Sequence, residues 1–140
     1  MPTLDRTSRE YFANRFGNFY DSVIRRFKVN FRFNGSKPSA VIVIAVTDAE
    51  VSENYGWVWV RFEIDDVIEL CCTEKDNVTY TVLSEALHIG FFGDGIYLDF
   101  GALFDLPVEE EENRSLDDFR RSVFYIAGRK VTWHVEPYRE

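Results

Sequence analysis

Between Trp57 and Ile64 the side chains alternate strictly in character. Val58, Val60, Phe62 and Ile64 take one side of an extended backbone, and Trp57, Trp59, Arg61 and Glu63 take the other. A period of two predicts a strand with one covered and one open face. The open face carries two indoles beside a cation and an anion, a mixture suited to sugar stacking or to a protein hot spot. The competing expectation is that the helix or the end of the chain, with Trp133, covers both indoles.

The same period recurs on either side. Val23, Phe27, Val29, Phe31 and Phe33 share one face of a strand, and Arg26, Lys28, Asn30 and Arg32 share the other. The run AVIVIAV at 40–46 is apolar on both faces, as a central strand with cover on both sides requires. Asp65 and Asp66 mark a turn or bulge before VIELCCT at 67–73, and EKDN at 74–77 reads as a turn into VTYTVL. In HIGFFGDGIYLDFG at 88–101, Asp94-Gly95 suits a two-residue turn; that register sets Phe92 opposite Tyr97, Gly90 opposite Asp99 and His88 opposite Gly101. Ile89, Phe91, Leu98 and Phe100 then form its core side, and a second hairpin is expected where SVFYIA and KVTWHVEP flank Gly128-Arg129.

Ahead of the strands, Thr7 is followed three positions later by Glu10 in a capping-box pattern, and Gly17 suits a left-handed C′ position. A short helix follows, with Tyr11, Phe12 and Phe16 set to lie on the sheet. The fold class is α+β, mainly β: a curled antiparallel sheet of seven or eight strands, sandwich- or barrel-like, with a short N-terminal helix. A chain of 140 residues with 46% hydrophobic content is the size of one domain over 1–140, and one of that length buries roughly 68% of the surface it exposes when unfolded. No apolar run is long enough for a secretory signal or a membrane span, which predicts a soluble cytoplasmic protein.

The formal net charge is −8, which opposes attraction to nucleic acid and to anionic lipid and favours basic partners. Glu109, Glu110, Glu111 and Glu112, with Asp117 and Asp118, concentrate that charge in one loop that can steer a basic protein; one helical turn after Ser115 is expected, capped by Ser115 with Asp118.

Cys71 and Cys72 are neighbours on a strand and leave opposite faces, so neither a disulfide nor a shared metal suits them, and His88 and His134 complete no metal-ligand spacing. No metal and no cofactor are expected. The glycines of GFFGDG precede a strand rather than a helix, so they serve the turn and not a phosphate. His88 could act as a general base oriented by Asp99 on one face, yet no nucleophile with a recognisable elbow accompanies it, so the polar pair reads as structural. A ligand-binding alternative places Trp57, Trp59, His88, Tyr97 and Asp99 around a hollow in the sheet.

The stretches FGNFYDSVIRRFKVNF, VWVRFEIDDVIEL, GDGIYLDFG and YIAGRKVTWHV together resemble the small β-rich bacterial immunity-type proteins encoded beside polymorphic toxins. In that group histidine commonly precedes the first aspartate, where Tyr20 precedes Asp21 here, and tyrosine does not titrate near neutral pH. The resemblance implies a non-enzymatic protein that binds and neutralises a partner, such as a basic nuclease toxin.

Overall fold

The structure, a computed structural model, describes residues 2–31, 37–72, 82–83, 86–101 and 114–139. Alternating residues build the strands β1 (Ser22–Asn30), β2 (Ser39–Thr47), β3 (Trp57–Cys72), β4 (Val82–Leu83), β5 (His88–Phe92), β6 (Gly95–Asp99) and β7 (Phe124–Pro137). Among the described residues they form one antiparallel sheet, in the order β4-β1-β2-β3-β7-β6-β5, curled into a half-barrel. The mainly β expectation holds in its barrel-like form.

Helix α1 (Ser8–Phe16) and the 3-10 turn Gly17–Phe19 fill the inner face. Phe12, Phe16 and Phe19 join Ile42, Ile44, Val60, Phe62, Ile64, Leu98, Ile126 and Trp133 in one buried cluster that spans the sheet. Fully burying a phenylalanine contributes about 1.5–3 kcal/mol, so this aromatic plug is the main energetic bond between helix and sheet. Trp133 meets Phe12 edge-on at 5.1 Å, which places it on the inner face and leaves it unable to cover Trp57 and Trp59.

Gly17 ends α1 at φ 59, as expected, but the start differs. Thr7 makes no side-chain cap; Asp5 Oδ1 accepts from the Thr7 amide at 2.8 Å, while Ser8 Oγ accepts from the Asp5 amide at 2.9 Å. The capping exchange thus sits two residues earlier, where Asp5 offers a better acceptor than the threonine. A bidentate pair clamps the other end: Arg15 reaches Asp48 with Nε at 3.0 Å and Nη2 at 2.9 Å.

Three expectations about the strands are corrected. A bulge between Ile24 and Arg26 in β1 puts Ile24, not Val23, on the core face with Phe27 and Val29. Second, of the turn or bulge expected at Asp65 and Asp66 it is the bulge that forms, with Asp66 at φ 55 and a register shift between Val67 and Glu69, so the two strands expected on either side are one, β3, running unbroken for 16 residues. Third, β7 is one strand of 14 residues and turns no hairpin at Gly128. Glycine is needed there for proximity: a Cβ would stand 2.4 Å from Ile64 Cγ2 and 2.8 Å from the Asp65 carbonyl oxygen.

The β5–β6 hairpin turns at Gly93-Asp94, one position earlier than expected, because Gly93 takes the positive φ of 59 that the first turn residue needs. His88 therefore faces Asp99 directly, and Gly90 faces Tyr97. Helix α2 (Leu116–Arg120) begins with the expected box, Ser115 Oγ accepting from the Asp118 amide and Asp118 accepting from the Ser115 amide. Phe119 of α2 inserts against Tyr97, Tyr125 and Ala127, a second apolar cluster on the outer face. Gly90 makes room for it, since a Cβ there would lie 2.6 Å from the Phe119 ring. No helix among the described residues is long and apolar enough to cross a membrane.

Candidate functional site

The outer face has two chemically distinct ends. At one, the chain between β2 and β3 closes tightly: the Asp48 amide donates to the Gly56 carbonyl at 2.7 Å, and the Val51 amide to the Asp48 carbonyl at 3.1 Å. This closure forces Asn54 and Tyr55 to φ 53 and 59 before Gly56 at φ 85. A bulky residue in the left-handed region costs about 1 kcal/mol or more, and such strain clusters at functional sites. Tyr55 gains no packing in return, being 97% exposed.

Beside it, Trp57 lies against Tyr138 with ring centroids 6.4 Å apart. A hollow of about 300 Å³ on one side of this pair is lined by Val23, Arg25, Ala45, Asn54 and Tyr55. On the other side lies one of about 240 Å³, where Glu53 and Glu136 supply carboxylates. Trp59 is half-buried, opposite Ala45 of β2, and its buried indole Nε1 has no hydrogen-bond partner among the described residues. Val43 and Ala45 face outward yet are only 3% and 4% exposed, because Arg61 and Trp59 flank them on β3. The apolar run of β2 is thus covered by α1 within and by long side chains without. Trp59 serves that cover, whereas Trp57 lines both hollows.

The other end lies under α2. Glu69 accepts from Arg120 Nε at 2.9 Å and Nη2 at 2.8 Å, from the Tyr125 hydroxyl at 3.2 Å, and from the Tyr97 hydroxyl. The Arg120 guanidinium first, then the two phenols, hold the Glu69 carboxyl at about 2 against the opposing effect of burial. Burial, then the Glu69 carboxylate, pushes the Tyr97 phenol up to about 12. Nearby, Asp99 Oδ1 accepts from the Gly101 amide at 3.0 Å and the Ser122 hydroxyl at 2.5 Å, and Oδ2 from Arg114 Nη2 at 2.9 Å. With its oxygens engaged by these donors, buried Asp99 anchors the segments flanking α2.

The ligand set expected around one hollow is therefore divided. Trp59 pairs with Glu136 and Tyr97 with Ala127, nine positions apart on β7, or roughly 30 Å of strand. Trp57 and Trp59 belong to the aromatic end; His88, Tyr97 and Asp99 are buried at the α2 end. Of the acidic set, Asp117 is exposed, Asp118 is engaged in its cap, and Glu109, Glu110, Glu111 and Glu112 lie outside the described residues. Cys71 packs against the second cluster and Cys72 is exposed. His134 Nε2 lies 2.8 Å from a Glu136 oxygen. Tyr138, Glu69 and Arg120 were not singled out by periodicity, since each acts through a neighbour distant in sequence, and Tyr55 was not because it lies in the turn before the alternating run of β3.

The class defined by these features is a mainly β protein with a curled antiparallel sheet and an aromatic open end. Comparison with family models, with curated proteins and with solved structures returned no match.

Proposed function

We propose that this chain is a non-enzymatic binding protein of the bacterial cytoplasm that engages a basic protein partner, in the manner of the immunity-type proteins its strand segments resemble. The observation that carries this reading is Tyr55, a large aromatic held at positive φ and almost fully exposed beside the Trp57–Tyr138 pair. Tyrosine and tryptophan are the side chains on which binding energy concentrates, and their ring faces attract cations. Glu53 and Glu136 border the same pair, so a lysine or arginine of the partner meets both ring faces and carboxylates. The net charge of −8, with Glu109 to Glu112, Asp117 and Asp118, favours fast encounter with a basic surface.

The test is co-expression with the product of the adjacent gene, followed by affinity capture. A complex weakened about tenfold or more by Tyr55→Ala or Trp57→Ala, and weakened by added salt, supports the reading. Absence of a complex together with no rescue from that product's toxicity refutes it.

A further inference from the structure

An arginine-lined pocket lies away from the aromatic end. Arg6, just before α1, Arg9, in its first turn, and Arg114, just before α2, converge with Phe91 and Phe92 of β5 around a cavity of about 220 Å³. Arg9 donates from Nε at 2.8 Å and Nη2 at 2.5 Å to the Ile89 carbonyl, which fixes its guanidinium at the pocket wall. The Arg6 and Arg9 guanidiniums stand 5.2 Å and 5.5 Å from the Phe91 ring centroid. Among the described residues neither has a carboxylate within ion-pair reach.

Arg114 supplies the decisive observation. Its side chain is 2% exposed, and among the described residues Nη2 alone is engaged, with Asp99 Oδ2 at 2.9 Å and the Asp118 carbonyl at 3.3 Å. Among the described residues its buried Nε and Nη1 have no hydrogen-bond partner, and its guanidinium sits 4.1 Å above the Phe119 ring. Buried donors left unmade are costly, most of all on a charged group, and a guanidinium edge matches an oxyanion bidentately. Among the described residues three arginines line one cavity, with the Asp99 carboxylate paired to Arg114 and that of Asp118 in electrostatic reach of it, so arginine outnumbers carboxylate here in a chain that is acidic overall.

We propose that Arg6, Arg9 and Arg114 form an oxyanion site for phosphate or a small phosphomonoester. The guanidiniums hold the phosphoryl oxygens, and the Phe91 and Phe92 rings border whatever the ester carries. The site is independent of partner docking at Tyr55.

Calorimetric titration of the full chain in chloride buffer with inorganic phosphate, and separately with phenyl phosphate, tests it. Saturable 1:1 binding is expected, weakened about tenfold or more in Arg6→Gln/Arg9→Gln, with circular dichroism unchanged. Equal affinity for the two probes assigns the site to the free anion, and tighter phenyl phosphate assigns it to an ester. Arg114→Lys keeps the charge facing Asp99 but loses the fork, so it too weakens binding. No saturable binding of either probe, or binding unchanged in the folded double variant, overturns the proposal.

Discussion

Glu69 of β3 and Arg120 of α2 form a two-bond ion pair, 2.9 Å and 2.8 Å, that ties the short helix to the outer face of the sheet. Because the folded carboxyl is held at about 2, below its ordinary 4.5, the stabilisation is full above 4.5 and is lost as pH falls from there toward 2. Tyr97 has the opposite sign: raised from 10 to about 12, its stabilisation is full below 10 and lost as pH climbs toward 12. Urea midpoints across pH should decline in both windows, and Glu69→Gln should flatten the acid decline. An unchanged acid decline in that variant would assign it to other carboxyls.

Gly128→Ala should destabilise the chain by about 1–3 kcal/mol, since the added methyl meets both Ile64 and the Asp65 backbone oxygen, and the backbone oxygen cannot be moved by a rotamer change. Thermal melts read this directly. A variant as stable as the parent would mean that β3 and β7 are not so closely apposed at their bend.

Asp48→Ala leaves the Arg15 guanidinium without its bidentate partner and removes the acceptor of the Glu50 amide. Breaking a buried pair from one side costs about 3–5 kcal/mol, and the partial exposure of Arg15 places this case toward the lower figure. Chemical denaturation should show the loss. Full retention of stability would indicate that α1 is held by its phenylalanines alone.

Tyr55→Gly should move two properties in opposite directions. Glycine accepts a φ of 59 without steric cost, so stability should rise by up to about 1 kcal/mol, while capture of the basic partner weakens. Denaturation and binding assays on one preparation separate these effects. If stability and binding fall together, Tyr55 is a packing residue rather than an anchor.

Much of the secondary structure was legible because alternation is a local property: side chains of an extended backbone leave opposite faces whatever the strand pairs with. The faces of β3 and the core side of the β5–β6 hairpin followed from that period, as did the Ser115–Asp118 cap from its spacing. The bulge in β1 was not legible, because Arg25 interrupts the pattern only once its strand is paired with β2. Gly128 looked like a turn since glycine also marks turns, and only the approach of Ile64 reveals its role.

Periodicity, capping residues and charge balance thus determined a mainly β chain with a short aromatic helix and an acidic character, all of which depend on neighbours a few positions apart. Tertiary structure alone decided that β3 and β7 run unbroken and that the two tryptophans part from Tyr97 and His88. It also decided that Arg6, Arg9 and Arg114 share a cavity. These outcomes rest on pairing between strands far apart in the chain and on the curl of the sheet, and such long-range geometry is set by the whole molecule closing on itself rather than by any local run of residues.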